Sequence, residues 1–188
     1  MNWKRNLGYG LGLLAVVPAM IAAEVLPWRE MYETRAQKGG PEVVAAPGRA
    51  ARLNGIEWRL RSITEGKPPN DVYRPLPPRT KIAIVVITLK PLTGQASRWS
   101  GDVGGSCKIK VTDAAGRSWG PSFRSDLGPK SGLSASCFNM GADFKLAPLP
   151  VGKELAVQTV YVVPTDAFRT LRVEVRVTPE PGTVRLLP

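Results

Sequence analysis

The chain has 188 residues, 43% of them hydrophobic, with 19 glycines, 18 prolines, two cysteines, no histidine and a formal net charge of +11. The lack of histidine excludes Ser-His-Asp and Cys-His catalysis, and two cysteines alone do not close a tetrahedral zinc site. So much glycine and proline disfavours long helices and suits short strands joined by turns.

Lys4 and Arg5 precede an uncharged apolar run over residues 7–23, which Glu24 ends. The run has about 17 residues, or about 20 when extended to residue 26, the length that crosses a bilayer core. Trp3, Tyr9 and Trp28 flank it, where amphipathic rings suit the headgroup level. Residues 1–28 therefore read as a membrane anchor, one transmembrane helix with residues 7–26 in the bilayer. The competing reading is a secretory signal peptide cleaved after Ala19 or Ala23, giving a secreted protein, although neither site has a clean A-x-A form. Pro18 argues against a buried soluble helix and is tolerated in a membrane span. Lys4 and Arg5 favour a cytoplasmic N-terminus, while Arg29, Arg35 and Lys38 flank the far end. The cysteine pair and the shape of the export signal decide for an extracytoplasmic C-terminal domain.

Residues 29–51 read as a tether, helical to about residue 38 and broken by Gly39-Gly40-Pro41. The folded domain is expected over residues 52–188. Asn54-Gly55 is a hairpin turn signal, and Ile56, Trp58 and Leu60 alternate with charged residues as in a half-buried strand. A proline-rich stretch, 67–79, reads as a stiff connector; its P-x-x-P spacing is also one that polyproline grooves take. Residues 80–89, rich in Ile and Val, read as a central strand, and 90–94 as a turn. Cys107, Ile109 and Val111 alternate with Lys108, Lys110 and Thr112 in another strand with one wet face. Asp113-Ala114-Ala115-Gly116-Arg117 turns the chain into a return strand at Ser118-Trp119. A long loop over 120–132, a short strand at 135–138, strands at 155–163 and 170–178, and a last edge strand at 183–187 complete an all-β antiparallel sandwich of seven to nine strands.

Cys107 and Cys137 are an even pair in an exported domain and are expected to form one disulfide, two free thiols being the alternative. The positive charge is scattered. It reads as a solubilising surface, or as an attraction to anionic lipid headgroups or an acidic envelope polymer. Nucleic acid is not an expected partner, since neither a basic helix nor an aromatic stacking motif accompanies the charge.

The strand that runs into Lys90-Pro91-Leu92-Thr93 is followed by Lys108-Ile109-Lys110-Val111-Thr112-Asp113-Ala114-Ala115-Gly116-Arg117-Ser118-Trp119. Later come Leu149-Pro150-Val151-Gly152-Lys153-Glu154 and Val157-Gln158-Thr159-Val160-Tyr161-Val162-Val163-Pro164-Thr165-Asp166-Ala167. In this order they resemble the immunoglobulin-like, telokin-type domains of secreted and membrane-anchored bacterial proteins, over residues 52–178. The resemblance implies an immunoglobulin-like β-sandwich outside the membrane, in a group whose function is often unknown. It supplies no catalytic residue. The cysteine pair and the long loop after Trp119 depart from the general pattern.

No site of catalysis is expected. Lys130, Ser131, Ser134 and Ser136 are the only Ser-Lys candidates, and Gly-Pro-Lys-Ser-Gly reads as a loop. The glycine-rich stretch 101–106 lacks the Gly-Lys-Ser/Thr ending of a phosphate loop, and Asp102, Asp113 and Asp143 are too dispersed for a calcium cage. No cofactor and no metal are expected. Phe123, Phe138 and Phe144 read as core aromatics before they read as a groove. The expected function is a binding or interaction module, with Trp119, Phe123, Arg124 and Lys130 on the candidate binding loop. The alternative is an accessory or structural subunit of a cell-envelope assembly.

Overall fold

Alternation of apolar and polar side chains draws the chain into two sheets packed face to face. The computed structural model describes residues 40–67, 75–99, 101, 106–122, 132–141, 143, 145–178 and 182–188, all within one unit, Gly40–Pro188. In chain order the strands are β1 (Glu42–Ala45), β2 (Ala50–Leu53), β3 (Ile56–Gly66), β4 (Thr80–Pro91), β5 (Ser106–Thr112), β6 (Ser118–Trp119), β7 (Leu155–Pro164), β8 (Arg172–Thr178) and β9 (Gly182–Leu186). One short helix, α1 (Gly94–Trp99), follows β4, and a 3-10 turn, Phe168–Thr170, precedes β8. The first sheet runs β1-β9-β8-β5-β6 and the second β2-β3-β4-β7.

The interior is made where the two patterns meet. Trp58, Val85, Ile87 and Leu89 from the second sheet and Val111, Val173, Val175 and Val184 from the first are fully buried. Each such side chain contributes about 1.5–3 kcal/mol by leaving water. β4 is central, pairing with β3 on one side and β7 on the other, as its β-branched run predicts. In β3 the register shifts between Leu60 and Ser62, so Arg61 is the extra residue of a bulge and turns outward to pair with Glu154.

Three expectations need correction. Residues 42–45 and 50–51, read as tether, lie in strands: β1 lies parallel to β9, with Val43 opposite Val184, and β2 pairs with β3 across the Asn54-Gly55 turn. The second expectation concerns 183–187, placed at a sheet edge by the sequence; β9 instead has β1 on one side and β8 on the other. The third is the strand at 135–138, which does not form. Only Ser134 bridges to Val157, because the Cys137 end of the segment is committed to the other sheet. The turn expected at 90–94 also continues into α1, whose start is capped by Thr93: Ala96 donates its N–H to Thr93 Oγ1 at 3.2 Å. Among the described residues no helix is long and apolar enough to cross a membrane; the anchor at 1–28 lies outside them.

Candidate functional site

Cys107 and Cys137 form the disulfide, with Cα atoms 6.0 Å apart. Cys107 begins the inward-facing row of β5, and Cys137 follows a segment that lies along β7: Ser134 donates its N–H to Ala156 O and accepts from Gln158 N–H. The bond therefore ties β5, where β6 no longer covers it, to the segment along β7 at the edge of the second sheet. Beside it opens a cleft of about 440 Å³. Its walls are Cys107, Ile109, Gly120, Pro121, Ala135 and Ser136, its floor reaches Thr159 of β7, and Lys108, Lys110 and Arg176 stand at its rim.

The cleft exists because β6 stops early. It pairs with β5 only at Val111 and Thr112. Continuing the same register would set Ile109 opposite Pro121, which has no N–H to donate. The chain instead crosses to the second sheet, where Ser122 donates to Val160 O at 2.7 Å. Ile109 O is taken by the hydroxyl of Tyr161 at 3.2 Å. Burial pushes that hydroxyl up to about 12, so it stays protonated and remains the donor.

The rim is positive. Lys110 Nζ and Arg176 Nε both reach Glu174 Oε1 at 3.0 Å, and Arg185 Nε stands 3.9 Å from its other oxygen. Burial raises the Glu174 carboxyl, but the hydrogen bonds from Lys110 and Arg176 outweigh it and hold the group below the usual carboxylate range. Glu174 thus answers Lys110 and Arg176, while Arg185 pairs more closely with Glu42. Lys108 is exposed and forms no ion pair among the described residues.

The predicted site residues fall differently. Trp119 packs its ring against the core and carries the Arg117 guanidinium 5.5 Å above it. Arg117 also bonds Asp113 at 2.7 Å and Asp166 at 2.8 Å, clamping the turn after β5 to the turn after β7. Trp119 is therefore structural, one residue short of the cleft. Phe123, Arg124, Lys130 and Phe144 lie outside the described residues, and Phe138 is half-buried. The sequence reading places β5 as a strand but misses it as the wall of a cleft. Its signal was present: Lys108 and Lys110 flank an inward Ile109, next to a cysteine, and a proline follows the return strand within two residues.

No family model matches the chain, and no curated protein matches it. Solved structures resemble it in fold at very low identity. An uncharacterised β-sandwich protein from Clostridium difficile 630 is 8% identical, over 78% of this chain and 93% of that one, with a TM-score of 0.40. A conserved hypothetical protein from Bacillus anthracis is 14% identical, over 72% and 91%, with a TM-score of 0.41. The yjhA protein from Bacillus subtilis is 9% identical, over 76% and 98%, with a TM-score of 0.47.

Proposed function

We propose that the chain is a binding module held to the cell membrane by residues 7–26, with its N-terminus in the cytoplasm and its sandwich outside, and that it takes an anionic envelope component at the cleft between β5 and β7. The observation that carries this reading is the cleft: apolar walls stapled by a disulfide, and a rim of Lys108, Lys110 and Arg176, of which Lys110 and Arg176 share Glu174 as counter-charge. A bond across the cleft's end reduces the freedom its walls lose when a ligand arrives. The disulfide also fits an oxidising compartment.

Strand order supports the immunoglobulin-like, telokin-type assignment within this reading. Taking β3, β4 and β7 as A, B and E, and β5, β6, β8 and β9 as C, C′, F and G, the sheets read A-B-E and C′-C-F-G, with β2 added beside A and the parallel strand β1 added beside G. The disulfide joins C to the segment before E, not B to F, so it belongs to the cleft and not to the general sandwich.

Two measurements in intact cells test the proposal. Protease added outside protoplasts removes the domain; a protected domain overturns the location. A photo-crosslinking residue at position 108 or 136 yields adducts that the same residue at 59 or 153, away from the cleft, does not. Equal adducts at all four positions overturn the cleft as the binding site.

A further inference from the structure

We infer that the cleft takes an extended acidic polypeptide segment, which adds as a strand to the edge of β5. The inference rests on the cleft being the binding site and specifies what enters it. The geometry begins with parity. Asp113 donates its N–H to Arg117 O on the side away from β8, and in an antiparallel pair every second residue directs both backbone groups to the same side. Val111, Ile109 and Cys107 therefore share that direction, while Lys108 and Lys110 face Arg176 and Glu174 of β8.

β6 covers this edge at Val111 and then leaves, so Cys107–Ile109 has no strand beside it among the described residues. Tyr161 occupies Ile109 O, but a hydroxyl is not a ladder, and by the same parity the Ile109 N–H faces away from β8, on the cleft side. An uncovered edge of this kind is a template for another strand. An apolar compound filling the same volume would leave those backbone groups without partners, which disfavours it.

Side chains define the rest of the occupant. An added strand would place alternate residues against the apolar walls, Ile109 and Pro121 among them, and the others beside the rim on the outer face. Lys108 there has no counter-ion among the described residues, and Lys110 and Arg176 share one. Carboxylates at alternate positions complement this rim, whereas lysines at the same positions would meet it with like charge.

The test uses the purified full chain in neutral detergent micelles and three short fluorescein-labelled peptides. One alternates Val and Asp, one alternates Val and Lys, and one is the Val-Asp peptide N-methylated at every second residue. The Val-Asp peptide is expected to bind saturably and to slow amide exchange at Ile109. The Val-Lys and N-methylated peptides are expected to bind at least about tenfold more weakly. Lys108→Glu, at an exposed position, should reverse the preference towards Val-Lys. No saturable binding of Val-Asp at about 1 mM overturns the inference, whether the cleft is filled by the chain's own residues or by nothing. Equal binding of the N-methylated peptide also overturns it, since charge and apolar contact would then suffice without a ladder. Either failure, together with cellular crosslinks confined to positions 108 and 136, would leave the module reading standing.

Discussion

Arg117 is the residue on which two loops depend. Its guanidinium bonds Asp113 and Asp166, and its backbone N–H donates to Asp113 Oδ1 at 2.9 Å. Gly116 supplies the positive φ of 81° that closes the turn between them. Burial pushes the Asp113 carboxyl up, but the hydrogen bonds from Arg117 outweigh it; the Asp166 carboxyl is lowered chiefly by the hydrogen bond from Arg117. Both folded-state values therefore lie below the unfolded value of about 3.8. Such groups contribute stability that is fully present above the unfolded value and is lost as pH falls through the folded one. Arg117→Ala lets both carboxyls return towards their ordinary range, so acid unfolding should begin at higher pH. Tryptophan fluorescence followed from about pH 6 to pH 2 reads this directly, and an unmoved midpoint would show that the clamp contributes nothing. The D-x-x-G-R pattern was legible in the sequence as a turn. Its second anchor was not, since Asp166 lies 49 residues away and only the fold brings it near.

Elements differ in how far they announce themselves. β3 and β8 alternate and β4 is a continuous run rich in β-branched residues, so each can be read at once from its own sequence. β1 has four residues and depends for its pairing on β9, at the other end of the domain. α1 has six residues, too few for a helical period, and is held by its Thr93 cap and by Trp99, whose ring meets buried Trp58 edge-on at 6.2 Å. The cleft escaped for a related reason: it is made by where β6 ends, and Pro121 marks that end locally, but only the register of β6 on β5 turns it into a gap. Gly101, just beyond α1, shows what such a junction demands. A Cβ there would stand 2.5 Å from Ala147 C and from Pro148 N, both backbone atoms that have little room to move. At Gly94, the first residue of α1, a Cβ would meet nothing within 4 Å. Gly101→Ala should therefore destabilise the domain by about 1–3 kcal/mol, as overpacking does, while Gly94→Ala stays within about half a kcal/mol. Urea unfolding of the two variants side by side checks this; equal midpoints would mean that the loop carrying Ala147 yields freely.

Among the described residues, burial holds the two sheets together, and at the mouth between β5 and β7 the cleft removes side chains from the interface. The disulfide closes that gap with a covalent tie between residues 30 apart in sequence. If its contribution is mainly the restriction of the unfolded chain, a loop of this length is worth about 3–4 kcal/mol. That account makes two demands on the Cys107→Ala, Cys137→Ala double variant. Its urea midpoint should fall by the corresponding amount. Its m-value should rise, because an unfolded chain freed of the cross-link exposes more surface. A contribution made mainly through packing behaves differently: Cys137 is buried, so replacing it would lower the midpoint through a small cavity and leave the m-value unchanged. The same variant reports on the cleft. Should the tie hold the walls in place, loss of it should raise the dissociation constant of the Val-Asp peptide and speed amide exchange at Ile109 under conditions where the domain is still folded. Unaltered peptide affinity in a destabilised but folded variant would separate the two roles, leaving the disulfide as a stabiliser of the sandwich alone.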